Sequence, residues 1–298
     1  MNDFERLTKQ LADSPRVLLL GQRLLGRDDG VNPLLQLPGF ELTGQSVFDA
    51  CIGTKGQEVQ ANLDALGKAL LIDERFDCVR RFPWRCIFTS SFDPIPFRLF
   101  NDQAKRPVIS TFDSRSPDSN NLTLYRLFGA TGRQSSSELP PSTVTELRNR
   151  RTLTSAMLTQ IPRAVGPTGR LYIVGWHPGR NDWLRPRDLA NRLYELTDEQ
   201  ILLFDLDDRD RESIEKDDDF QQLIDDGKAR IYEKPFPDYL IEAESRGLSF
   251  VDKAFDAPDS IRISVRPHTP KDLEAPDEEE LKSIVLSRQE YKRLTETF

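Results

Sequence analysis

Short apolar runs that alternate with amphipathic segments are the feature of this chain that most constrains its fold. The first run, from Arg16 to Leu20, is continuous and ends at Gly21, which is typical of strands buried on both faces of a parallel sheet. Apolar residues recur at helical spacing between residues 57 and 70, and a second apolar run follows at residues 86–89. A helix between two strands indicates a crossover connection in a parallel sheet.

The same alternation continues along most of the chain. It predicts further strands at 107–110, 122–127, 171–174, 201–204 and 230–232, and further helices at 144–161 and 187–196. We therefore predict an α/β fold, a Rossmann-like doubly wound parallel sheet with helices on both faces.

The chain changes character near residue 240. An alternating segment at 260–266 predicts a strand outside the main sheet, and residues 279–296 have a helical pattern that follows an acidic segment. We predict two parts: a Rossmann domain over residues 1–240 and a small C-terminal appendage over residues 241–298. That appendage is a strand and helix extension or a linker to a missing domain.

Composition excludes several classes of function. The net charge of -8 gives no overall basic field, so we do not expect nucleic acid as a partner. No run approaches the roughly 20 apolar residues of a membrane span, and the N-terminus has no signal-peptide pattern, so we expect a cytoplasmic protein. Three cysteines without a C-x-x-C pair predict no zinc site. With two histidines, chemistry here depends mainly on Asp, Ser, Arg and backbone amides.

Polar or glycine residues follow the predicted strands. Gly21 and Gln22 follow the first strand, where a dinucleotide fold places its phosphate loop, although a glycine here is also typical of a plain turn. Ser90, Ser91 and Asp93 follow the second strand. They could hold a ribose diol, or Asp93 could simply cap the next helix, and the sequence favours neither.

Later strands end in the same way. Gly129 follows the 122–127 strand, and Gly175 follows the 171–174 strand, with Asp182 seven residues further on. His177 lies in the same loop and is a candidate base, but a lone loop histidine is more often a surface residue.

The order of these motifs resembles the sirtuin-like NAD-binding core over roughly residues 16–240. That family has a Gly-Ala-Gly-like first loop, a Thr-Asn-x-Asp element, a His-Gly turn and a late Gly-x-x-x-x-Asp element. Here the first loop is matched by Gly21, the second element by the segment from Ser90 to Asp93, the turn by Phe128 and Gly129, and the last by Gly175 and Asp182 with a longer spacing.

The resemblance is strongest to a bacterial antiviral-defence branch fused to STAND-type NTPase sensors. It implies hydrolysis of NAD to nicotinamide and ADP-ribose without zinc, a homo-oligomer and a downstream sensor domain. The implied catalytic residues are Asp93, as electrostatic stabiliser, and Ser91, which positions water. The implied nucleotide-binding residues are Gly21, Gln22, Ser90, Gly129, Gly175 and Asp182.

Two departures from the family pattern concern activity. Ser91 stands where the family has Asn, and Phe128 stands where it has His. Phe has no proton acceptor, and loss of a general base commonly costs about 10² to 10⁴ in rate. Two interpretations stay open: an NAD hydrolase with altered catalytic groups, or a catalytically inactive sirtuin-like scaffold that serves as an oligomerisation or regulatory module.

Overall fold

The computed structural model divides the chain into two compact units, Met1–Phe250 and Val251–Phe298. The residues that it describes are 3–11, 13, 15–21, 47–69, 76–101, 107–118, 120–180, 182–248, 260–264 and 283–287.

The first unit is built on a seven-stranded sheet in which every pairing is parallel. The strands are β1 (Arg16–Leu20), β2 (Cys86–Thr89), β3 (Val108–Thr111), β4 (Leu122–Arg126), β5 (Arg170–Val174), β6 (Ile201–Phe204) and β7 (Ala229–Ile231). Their order across the sheet is β3-β4-β2-β1-β5-β6-β7. This arrangement confirms the predicted Rossmann-like α/β class.

The strand order reverses at the centre of the sheet. The chain first builds the side that contains β2, β3 and β4, and then crosses over to place β5 on the other side of β1. Leu20, the last residue of β1, pairs with Thr89 on β2 and with Val174 on β5, so the three strands end at the same level. In open parallel sheets, ligands bind beyond the carboxyl ends of the strands at such a reversal point.

Helices connect the strands. They are α1 (Asp3–Leu11), α2 (Val47–Ala50), α3 (Gly56–Ala69), α4 (Asp77–Arg81), α5 (Ile95–Asn101), α6 (Val144–Leu158), α7 (Gln160–Val165), α8 (Pro186–Leu193), α9 (Asp208–Glu215), α10 (Asp218–Asp225) and α11 (Phe236–Ser245). The helix predicted at 144–161 is interrupted at Thr159, between α6 and α7. Pro162 lacks the N–H that would bond Leu158, which accounts for the break one turn before the proline.

Each face of the sheet has its own hydrophobic core. Along β1, Val17 and Leu19 belong to one buried cluster, and Leu18 and Leu20 belong to the other. Successive side chains of a strand point to opposite faces, so a continuous apolar strand fills two cores at once. This is why β1 lacks the polar alternation of a half-exposed strand.

The second unit contains an antiparallel pair, β8 (Ser260–Ser264) and β9 (Ser283–Ser287). The predicted strand at 260–266 is confirmed over residues 260–264. The helix predicted at 279–296 is wrong over residues 283–287, where Ile284 and Val285 favour a strand; its other residues lie outside the described ones. The division at residue 250 differs from the predicted one at 240, because α11 continues past that point and buries Leu240 and Ala243 in the first unit.

Candidate functional site

The carboxyl ends of the strands bring most of the predicted site residues to one edge of the sheet. Gly21 follows β1, the segment from Ser90 to Asp93 follows β2, Gly129 follows β4, and Gly175 and Asp182 follow β5. Gln22 lies outside the described residues. The described residues at this edge do not form one cluster. They form a glycine–glycine contact, two separate serine–aspartate hydrogen bonds and an aromatic cluster.

Gly21 and Gly175 pack directly against each other at the reversal point. The N–H of Gly21 donates to the carbonyl of Val174 over 2.9 Å. A Cβ atom added to Gly21 would lie 2.0 Å from the carbonyl oxygen of Gly175. The first glycine is therefore required by the close approach of β1 and β5, whatever else this loop does.

Ser90 and Asp182 are joined by a hydrogen bond across the edge. The Ser90 hydroxyl donates to Asp182 Oδ2 over 2.9 Å, and the N–H of Leu184 donates to Asp182 Oδ1 over 2.9 Å. Both side chains are buried. Burial raises the pKa of Asp182 to about 7, although the hydrogen bonds from Leu184 and Ser90 act in the opposite direction. This carboxyl therefore changes its charge near neutral pH.

Ser91 and Asp93 form a second, separate contact. The Ser91 hydroxyl donates to Asp93 Oδ2, and Asp93 Oδ1 accepts the N–H of Ile95, the first residue of α5, over 2.8 Å. Burial raises the pKa of Asp93 above its ordinary value. Of the two interpretations that the sequence leaves open for Asp93, these contacts match a cap on the start of α5.

The guanidinium of Arg126 lies beneath this loop. It is fully buried, and its Nη1 donates to the backbone carbonyl of Asp93 over 2.8 Å. Burial lowers the pKa of Arg126 to about 10, and the charge of Asp93 opposes that decrease. The arginine thus holds the backbone of the Ser91 to Asp93 segment in place.

Phe128, at the position of the family's histidine, belongs to a buried aromatic cluster. Its ring lies 5.6 Å from that of Trp183, and Trp183 stacks on Phe92 at 5.4 Å. Phe48 contacts both Phe92 and Trp183. Phe128 is 1% exposed, so it acts as a core residue at this edge.

Gly129 occupies a tight turn after β4. Its φ of 92° lies in the region that favours glycine, and an added Cβ would lie 2.6 Å from the carbonyl oxygen of Leu139. The structure thus gives Gly129 a conformational and steric reason to be glycine.

His177 is buried and has a carboxylate partner, so it is a better candidate base than the sequence indicated. It is 8% exposed, and its Nδ1 lies 2.7 Å from Oδ2 of the fully buried Asp210 on α9. Asp210 also accepts the N–H of Gly179 over 3.1 Å and that of Asp207 over 3.3 Å. The expectation of a surface histidine is therefore wrong. The signal available in the sequence was that His177 and Asp210 each follow closely after one of two consecutive strands.

Among the described residues, His177, Asp207 and Asp210 offer potential metal-ligand atoms within 4.8 Å of one another. However, Asp207 and Asp210 also form the capping box that starts α9, where each side chain accepts the backbone N–H of the other. Both carboxylate oxygens of Asp210 and Oδ1 of Asp207 already accept hydrogen bonds, so the chemistry of this group matches a hydrogen-bonded dyad and a helix cap better than a metal site.

A pocket of about 1000 Å³ opens beside these loops. Its lining comes from segments that follow β1, β4, β5 and β6, which places it at the carboxyl edge. The lining residues are Asp49, Ile52, Val144, Leu147, Arg151, Pro178, Gly179, Asp182, Trp183, Arg185, Pro186, Arg187, Arg209, Glu212, Ser213, Lys216 and Asp217. We call this the edge pocket. Five of its side chains are basic and four are acidic.

Three of the basic side chains already have carboxylate partners. Arg185 pairs with Asp188, Arg187 with Asp219, and Lys216 with Glu212. Arg151 and Arg209 form no ion pair with any carboxylate in the part of the chain that the structure describes. Burial, together with the neighbouring Arg185, lowers the pKa of Arg151 below its ordinary value. These two guanidinium groups are therefore available to an anion.

A second pocket of about 680 Å³ lies between α3, α6 and the loop at 131–142. Its lining combines uncharged polar residues with apolar ones, and Arg150 holds its rim by donating to the carbonyls of Ser137 and Leu139. It contains none of the predicted site residues.

No protein-family model and no curated protein matches this chain. In the described residues, no helix is long and apolar enough to span a membrane. The fold and the edge pocket define the class: a Rossmann-like α/β protein with a polar pocket beyond the carboxyl ends of its strands.

Proposed function

We propose that the protein binds NAD or ADP-ribose in the edge pocket. The observation that carries this proposal is that Arg151 and Arg209 line this pocket at the carboxyl edge of a parallel sheet and that neither forms an ion pair with a carboxylate among the described residues. Arginine is well suited to phosphate because its planar fork donates two parallel hydrogen bonds. A pyrophosphate is the ligand group that satisfies two such side chains.

The rest of the lining fits the other parts of a dinucleotide. Carboxylates such as Asp49 and Asp217 suit ribose hydroxyls, because an ionised carboxylate only accepts hydrogen bonds. Ile52, Leu147 and Trp183 supply an apolar wall for a base. The volume lies within the range of small-molecule pockets, roughly 300–1,000 Å³.

Isothermal titration calorimetry with NAD and with ADP-ribose tests the proposal. Each hydrogen bond to a charged group contributes about 1.5–3 kcal/mol, so we expect Arg151→Gln and Arg209→Gln each to weaken binding by about 10- to 100-fold. Arg148→Gln and Arg211→Gln are matched controls, since they lie on the same helices, α6 and α9, but do not line the pocket. Equal loss in the controls, or no binding at millimolar ligand, would overturn the proposal.

One observation favours a second candidate, a scaffold without nucleotide. The aromatic cluster of Phe48, Phe92, Phe128 and Trp183 fills the space above β2 and β4 with side chains. If the protein is such a scaffold, neither NAD nor ADP-ribose should raise its free energy of unfolding. If it binds one of them, that ligand should raise the free energy of unfolding by about 2.7 kcal/mol at a hundredfold excess over Kd.

Hydrolysis of NAD through Asp93 stays a prediction of the sirtuin resemblance, as do the homo-oligomer and the downstream sensor domain. Both carboxylate oxygens of Asp93 accept hydrogen bonds inside the protein. Release of nicotinamide from NAD, abolished by Asp93→Asn in a folded protein, would support a catalytic role for this residue.

A further inference from the structure

A buried histidine held by a buried carboxylate lies beside the edge pocket. The two residues after His177, Pro178 and Gly179, line the pocket, and so does Arg209, the residue before Asp210. The imidazole keeps a tenth of its surface exposed, which leaves it within reach of water.

The hydrogen bonds determine which ring nitrogen carries the proton. Asp210 already accepts two backbone N–H groups, from Gly179 and Asp207, and therefore acts as an acceptor towards His177 as well. Nδ1 is then the protonated nitrogen of the neutral ring, and Nε2 keeps its lone pair. Among the described residues no group donates to Nε2. This is the tautomer that a general base needs.

The histidine loop and the start of α9 form one interlocked unit. A Cβ added to Gly179 would lie 2.4 Å from the carbonyl oxygen of Arg209, and the N–H of Gly179 bonds Asp210. The backbone of the histidine loop and the backbone at Arg209 are therefore held against each other. A phosphate bound by Arg209 would bring an electrophilic phosphorus to the part of the pocket wall that this unit forms.

We propose that His177 is a general base that activates water to cleave the pyrophosphate bond of the bound ligand, with Asp210 as the residue that positions it. This inference rests on the proposed binding of NAD or ADP-ribose in the edge pocket. The charged groups around His177 are Asp210 and Asp207 on α9 and its cap, and Asp182 on its own loop, and they stabilise the imidazolium that forms.

The step balances with water as the only co-reactant. Nε2 of His177 takes a proton from water as the water oxygen bonds to one phosphorus. The bond from that phosphorus to the bridging oxygen breaks, and its electron pair leaves with the oxygen on the other phosphate. His177 then releases its proton to solvent. ADP-ribose gives AMP and ribose 5-phosphate, and NAD gives AMP and nicotinamide mononucleotide.

The test is the release of AMP by the full chain from ADP-ribose and from NAD, followed by chromatography. His177→Asn keeps a donor towards Asp210 but removes the base, so we expect it to lower the rate by about 10² to 10⁴ with Kd changed less than twofold. His268→Gln removes the other histidine of the chain and is expected to leave the rate unchanged.

Two further readouts separate catalysis from folding. Asp210→Asn should lower the rate and change the ¹⁵N NMR signals of His177 from the Nδ1–H tautomer. Circular dichroism reports whether each variant is folded.

The outcomes distinguish this inference from the proposed function. Binding without AMP release, release of nicotinamide in place of AMP, or a fully active His177→Asn variant would each overturn the inference and leave the binding proposal intact. Absence of binding would overturn both.

Discussion

The carboxyl edge of the sheet consists of two halves with different chemistry. We call Arg126, Phe128 and the loop from Ser91 to Asp93, which lie at the ends of β2 and β4, the closed half. We call the segments after β5 and β6, with His177, Asp182 and Arg209, the open half. In the closed half polar groups are buried and bonded to one another, whereas the open half borders the edge pocket. Serine, aspartate and arginine after a strand indicate a ligand site in the sequence. In the closed half such side chains stabilise the fold, whereas in the open half they lie beside a pocket.

Substitution of Trp183, which contacts both halves of the edge, is expected to change stability the most. Its ring packs on Phe92 and Phe128 of the closed half and also lines the edge pocket. We expect Trp183→Ala to lower the free energy of unfolding by about 3–5 kcal/mol, as for other large buried aromatic residues. Urea denaturation measures this change, with Tyr194→Ala, an exposed ring, as a control that costs far less. Equal losses would mean that the aromatic cluster is not a packed core.

Asp182 should make the open half sensitive to pH. Burial raises its pKa to about 7, above the value of roughly 4 in an unfolded chain. Between these values the folded protein binds the proton more tightly, so the carboxyl costs stability as pH rises from about 4, and the cost is complete above about 7. The shift corresponds to on the order of 4 kcal/mol.

Denaturation of Asp182→Asn and the native protein at pH 4 and pH 8 measures this cost. The amide does not ionise, so the variant should gain stability relative to the native protein as pH rises. Tyr194→Ala should differ from the native protein by the same amount at both pH values. A stability difference for Asp182→Asn that does not change with pH would show that Asp182 keeps its charge throughout this range.

Asp93 should matter to folding if the closed half is structural. Asp93→Ala removes the acceptor for Ser91 and Ile95. Each buried donor left without its acceptor costs about 1–3 kcal/mol. We expect a loss of about 3 kcal/mol, because Ser91 and Ile95 both lose their acceptor while Arg126 keeps its hydrogen bond to the backbone carbonyl of Asp93. A loss below about 1 kcal/mol in urea denaturation would contradict this assignment and return Asp93 to the list of candidate ligand groups.

The fold was open to prediction because the strands are short, apolar and separated by helical patterns. Ser90 and Asp182 were correctly assigned to one edge, because parallel strands end together. The pairing of His177 with Asp210 was not predicted: the two residues are 33 positions apart, and each looks ordinary in its own segment. The role of Asp93 depended on whether α5 begins beside its carboxylate, and the Ser-Phe-Asp-Pro pattern is compatible with both a cap and a ribose ligand.

Substitution of Ser90 is expected to change stability the least. Its hydroxyl donates the hydrogen bond that joins the closed half to Asp182 in the open half. The bond stabilises the ionised carboxylate, so Ser90→Ala should raise the pKa of Asp182 further. We expect a loss of about 1 kcal/mol, larger at pH 8 than at pH 5, because a hydrogen bond to a charged group is stronger than one to a neutral group. A double-mutant cycle with Asp182→Asn isolates this bond. If the two variants have additive effects at both pH values, the halves of the edge are energetically independent, and changes in the closed half should leave ligand binding in the edge pocket unaltered.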